Sequence, residues 1–156
     1  MCFGTCWHSH RPFLIFRVHC GYCETVIRYE QAPDIRRRVS DIIDTLRMTH
    51  VNRDDVTCIR STGSKSSSII ARCHGLSRIM QLALNRLPHY VIEVVAERFD
   101  TLSRDEQTKV LIHELMHIPH AFGGGFRAHR PYVTRRTVEA MFRHYLKAKV
   151  HTHDTE

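Results

Sequence analysis

Residues 103 to 118 read S-R-D-E-Q-T-K-V-L-I-H-E-L-M-H-I, and no other stretch limits the chain as strongly. Ser103 with Glu106 three positions later is a capping-box pattern, so a helix is predicted to begin there. Val110, Leu111, Leu115 and Ile118 then recur at helical spacing. Pro119 and the run Gly123-Gly124-Gly125 mark the helix end and a turn. On such a helix His113 and His117, four residues apart, stand nearly one above the other, about 6 Å apart along the axis.

Two imidazoles placed that way can share one Zn²⁺, and Glu114, next to the first of them, can reach a water on the metal. The pattern is H-E-x-x-H. Chance alone is a weak competitor: with 13 histidines in 156 residues, random placement produces such a match in roughly one chain in twenty, before the helix context is counted. A catalytic zinc keeps three protein ligands and one open position. His129 is one candidate for the third ligand, because the three glycines before it let the backbone turn back at low steric cost. Glu139 on the following helix is the rival. His120 is a third candidate, although it lies about 10 Å along the axis from His113 if the helix continues. The expected chemistry is peptide hydrolysis: the metal polarises the carbonyl, and Glu114 takes the proton of the attacking water and passes it to the leaving amine. Tyr132 and Arg127 are candidates for stabilising the oxyanion.

The rest of the chain supplies the frame. Ile35, Val39, Ile42, Ile43 and Leu46 make residues 34–47 an amphipathic helix after Pro33, with Arg36, Arg37 and Arg38 on its other side. Residues 55–60 and 69–73 read as strands separated by a polar connection, and 76–84 as a short helix. The run Y-V-I-E-V-V-A-E-R-F from Tyr90 to Phe99 is the strongest strand candidate, with Glu93 and Glu97 on one face. It is expected to lie beside the metal and to pair with an extended substrate main chain. Residues 134–147 are predicted to form the last helix. The fold class is therefore α+β, a small sheet packed against helices that include the H-E-x-x-H helix.

A length of 156 residues suits one domain with a real core. The domain is expected to span 28–148, with a Cys/His-rich N-terminal extension at 1–27 and a flexible tail at 149–156. In the extension, Cys20-Gly21-Tyr22-Cys23 is a C-x-x-C step, and with Cys2 and Cys6 it offers a second metal site. The alternative is a poorly ordered extension. No apolar run approaches the ~20 residues of a membrane span, and no signal peptide is legible, so a cytoplasmic location with reduced cysteines is expected. The net charge of +7 favours anionic partners, nucleic acid first.

The run from Tyr90 to Tyr132, with V-I-E-V-V-A-E-R-F-D and then K-V-L-I-H-E-L-M-H-I-P-H-A-F-G-G-G-F-R-A-H-R-P-Y-V, resembles a metallopeptidase family of archaea and their viruses that looks related to the SprT-like zincins. The resemblance extends from about Arg28 to Tyr145 and leaves out the Cys-rich start. It implies a minimal zincin-like fold, with His113, His117 and His129 as zinc ligands, Glu114 as base, and a protein or peptide substrate. SprT-like proteases cut proteins attached to DNA, and nonspecific DNA contact is compatible with the basic charge. The competing class is a zinc-containing nucleic-acid-binding protein without protease activity, which needs an ordered zinc knuckle near the start and a contiguous basic face.

Overall fold

The computed structural model describes residues 26–153. Cys2, Cys6, Cys20 and Cys23, and with them the suggested second metal site, lie outside the described residues. The order of elements is β1 (Arg28–Gln31), α1 (Pro33–Thr45), β2 (Val56–Thr62), β3 (Ala71–Gly75), α2 (Arg78–Leu84), β4 (Tyr90–Val95), α3 (Ala96–Phe99), α4 (Arg104–Met116), α5 (His129–Tyr132) and α6 (Arg135–His153). The fold is α+β, as expected: one four-stranded sheet with helices packed on it.

The sheet order is β1-β2-β4-β3. β2 and β4 run parallel, with Cys58 opposite Ile92, while β1 and β3 are antiparallel additions at the two sides. This placement corrects the expectation for the Tyr90 segment. β4 is an interior strand with a neighbour on each side, so it has no free edge to offer a substrate. Its near-continuous apolar run V-I-E-V-V suits an interior position. The strand also ends at Val95, and Ala96–Phe99 turn into α3. Glu97 is therefore not on a strand face with Glu93; its carboxylate accepts the backbone N–H of Gly63 at 2.5 Å. β1 was not legible as a strand, because all four of its residues are exposed and carry no alternation.

Helix α1 buries Ile35, Val39, Ile42 and Ile43. Helix α4 buries Thr108, Leu111, Ile112 and Leu115 on the same core, and full burial of each large apolar side chain is worth about 2 kcal/mol. The capping box at its start is complete, with Glu106 N–H on the Ser103 hydroxyl and Ser103 N–H on the Glu106 carboxylate. Not all of the arginine face of α1 is solvated. Arg38 donates to the Gln107 side chain at 2.6 Å and to the Thr108 hydroxyl at 3.1 Å, tying α1 to α4. Helix α6 runs to His153, past the predicted end at Lys147. Tyr145 and Lys149 both hydrogen-bond Asp41 of α1 and so fasten the distal half of the helix to the domain.

Candidate metal centre

The last two turns of α4 present His113 and His117 toward β3 and the loop beyond the helix. The Nε2 atoms of the two rings are 3.2 Å apart. His129 reaches the same point from the first turn of α5, with its ring centroid 5.3 Å from that of His113 and 4.7 Å from that of His117. One ligand atom from each of the three lies within 4.8 Å of the others. Three nitrogen donors so placed could hold one metal ion.

Their protonation state suits that role. The Nδ1–H of His117 donates to the Arg127 carbonyl at 2.8 Å, which leaves Nε2 as a lone pair facing His113. Burial, then the neighbouring His117 and His129, hold His113 down to a pKa of about 4, so it stays a neutral donor through the physiological range. Burial likewise lowers His117, against the opposing pull of the Arg127 carbonyl.

Glu114 lies between α4 and β3 and is buried. Burial pushes its carboxyl up to about 7, although the backbone N–H of Cys73 on β3 hydrogen-bonds it and opposes the rise. Such a group can hold or release a proton near neutrality. The Cys73 thiol is pushed up to about 12, by burial first and by Glu114 second, and so remains a neutral wall of the site.

Two further side chains fix the loop that delivers His129. The Tyr90 hydroxyl donates to the Gly125 carbonyl at 2.9 Å and accepts the Gly124 N–H at 2.9 Å. Gln81 Nε2 donates to the carbonyl of Gly123 at 3.1 Å. Gly124 has φ +85°, and a Cβ there would meet the Leu76 carbonyl oxygen at 2.0 Å, so only glycine fits. Sequence reading passed over Tyr90 and Gln81 because neither stands near the motif along the chain.

The other candidates stand apart from the three histidines. Glu139 lines the same cleft but pairs with Lys109 at 2.8 Å and is not one of the three-histidine cluster. His120 stacks against His50, ring centroids 4.3 Å apart, because the helix ends at His117 and the chain turns away. Arg127 lines the cleft around the histidines. Its guanidinium lies 4.8 Å over the ring of Tyr132, which is not among the cleft's lining residues.

That cleft is about 910 Å³ and is walled by β3 from Ala71 to His74, by Val110 and Glu114 of α4, and by Phe126 and Val138. β3 borders it with its outer side, where no further strand pairs among the described residues. No helix among the described residues is long and apolar enough to cross a membrane.

No curated protein and no solved structure matches the chain. A family model does: the one described as "putative phage metallopeptidase" matches residues 27–155, which include every element above. The match spans most of the chain and takes in the three-histidine cluster, and the chain belongs to this phage metallopeptidase family.

Proposed function

We propose that the protein is a zinc-dependent peptidase in which His113, His117 and His129 hold the metal and Glu114 is the general base. The observation that carries this reading is the convergence of three imidazole nitrogens within 4.8 Å beside a carboxyl tuned to about 7. Tetrahedral zinc with Zn–N of about 2.0–2.1 Å requires neighbouring nitrogens ~3.3–3.4 Å apart, and the His113–His117 separation of 3.2 Å fits. Three histidine nitrogens would be the donor set of a catalytic zinc, which keeps a further position for water.

When bound, zinc supplies Lewis acidity toward the scissile carbonyl and the attacking water. Glu114, as carboxylate, accepts the proton of that water and then hands it to the departing amine. The Cys73 N–H keeps the carboxylate turned toward β3, where the substrate would lie. An extended polypeptide adding to the outer side of β3 would place its main chain across the cleft, the role first expected of the Tyr90 strand. Arg127, on the cleft wall, is the nearer of the two oxyanion candidates.

The SprT-like part of the expectation adds nonspecific contact with DNA, supported by the net charge of +7; affinity for a random duplex should then fall steeply with salt. The central test is hydrolysis of an unfolded protein by zinc-loaded enzyme, lost with a chelator and restored by zinc. Absence of cleavage in a preparation that holds one zinc per chain would overturn the peptidase reading.

A further inference from the structure

Helix α2 is built inside out. Its uncharged polar residue, Gln81, points inward and donates to the carbonyls of Leu76 and Gly123. Its apolar residues point out: Ile79 is 75% exposed and Leu82 85%, and Leu87 in the following loop is 78% exposed. Met80 and Leu84 are exposed as well, and α2 has no buried residue. Single exposed apolar side chains are ordinary, but five within nine consecutive positions form a patch, and patches mark contact surfaces. The segment is also purely basic, with Arg78 and Arg86 and no Asp or Glu between Gly75 and Ile92.

The patch meets the cleft through Leu87. The cleft follows β3 from Ala71 to His74, and a second cavity shares His74 with it, follows Gly75 and Leu76, and is bordered by Asp55, Arg86, Leu87 and His89. A chain laid along the outer side of β3 and running past Gly75 enters that second cavity. The five residues of β3 span about 15 Å, so the apolar surface is met roughly four to six substrate residues from the scissile bond.

We propose that α2 and the loop after it form an exosite for the polypeptide substrate: an apolar segment remote from the cut seats on Ile79, Leu82 and Leu87, and Arg78 and Arg86 favour acidic residues beside it. The proposal rests on the peptidase reading and names its substrate class, an extended or unfolded chain with an apolar, acid-flanked segment. Other occupants fit less well. Two copies of this chain meeting patch to patch would bring arginine against arginine about the two-fold axis. A helix of 7 residues is short for lying in a membrane interface.

The test uses the full chain with zinc, a short peptide that fills only the cleft, and the same peptide extended on either side with a Leu/Glu-rich or a Ser/Gly-rich segment. The variant is Ile79→Ser/Leu82→Ser/Leu87→Ser, three exposed positions whose change leaves the core intact. Wild type should take the Leu/Glu extension, on one side only, with a KM about tenfold below that of the short peptide. The variant should lose that advantage, with kcat and short-peptide hydrolysis unchanged. No advantage in wild type, or an advantage that survives in the variant, overturns the proposal. So does an effect of the variant confined to anionic-vesicle binding or to sedimentation as a dimer. Fluorescence anisotropy of the labelled extended peptide, with the uncut Glu114→Gln protein, reads docking alone. If wild type cuts no peptide yet binds the extended one through the patch, the peptidase reading fails and the docking site stands.

Discussion

His117 and Arg127 are joined twice through the backbone: the His117 Nδ1–H donates to the Arg127 carbonyl at 2.8 Å, and the Arg127 N–H donates to the His117 carbonyl at 2.8 Å. One bond orients the imidazole and the other pins the chain that goes on to His129. His117 and the approach to His129 are therefore one mechanical unit, and disturbing the glycine loop before Arg127 should be felt at the three-histidine cluster.

Gly124→Ala tests that link. Its positive φ and the Leu76 carbonyl 2.0 Å from a new Cβ force the loop to move, at a cost of about 1–3 kcal/mol in stability. Zinc affinity should drop at least tenfold. Gly125→Ala is the control, because a Cβ there meets nothing within 4 Å. Equal zinc affinity in the two variants, by competitive chelator titration, would show that the loop does not position His129.

The third ligand separates by substitution. His129→Ala should weaken zinc by several orders of magnitude and abolish hydrolysis, since one of three donors is gone. Glu139→Ala removes only the partner of Lys109, and zinc should stay within about tenfold of wild type. Loss of metal in the glutamate variant together with retention in the histidine variant would reassign the site to two histidines and a glutamate.

Glu114→Gln should keep fold and zinc yet lose a factor of about 10²–10⁴ in kcat, because the amide cannot accept the water's proton. Circular dichroism and metal content establish the first half of that statement, and a steady-state assay the second. A variant at wild-type kcat would remove Glu114 from the mechanism.

The Glu114 carboxyl gives a pH signature. In metal-free protein its pKa, pushed up to about 7 by burial, lies above the unfolded value of 4.5. The folded state therefore prefers the protonated form. This contribution to stability is complete below about 4.5 and is lost as pH rises through about 7. A bound cation favours the carboxylate, so zinc should move the titration downward and bring the acid limb of the rate profile to about 7 or below. Side-chain carbon NMR of labelled Glu114, with and without zinc, measures both. An unshifted value near 4.5 without metal would contradict the burial.

The helix that carries His113 and Glu114 was legible because its signals are local: Ser103 and Glu106 for the cap, four apolar residues at helical spacing, and glycines after the stop. Helix α1 was legible for the same reason. The sheet was not, because its order depends on which strands meet across 15 to 34 residues of chain. The β-branched and aromatic run Tyr90–Val95 marks a strand but does not say that β2 and β3 occupy both sides of it. The turn into α3 at Ala96 has no glycine or proline to announce it. His129 could be nominated only as one of three, since the tie from His117 to Arg127 and the hold of Tyr90 on the glycines are tertiary. His120 failed geometrically: the helix ended, and the ring found His50 instead.

β3 pairs with no further strand on its outer side among the described residues, and an unpaired strand edge is also an invitation to self-association. This one is only five residues long and carries Arg72 and His74, set over the buried Glu93 at 3.4 Å and 2.8 Å respectively. Two copies approaching edge to edge would bring their Arg72 guanidinium groups together. A foreign strand without such charges meets no comparable repulsion. Arg72 thus makes the edge resistant to fibrous aggregation of its own kind, so neutralising it would be expected to cost solubility before it cost the fold.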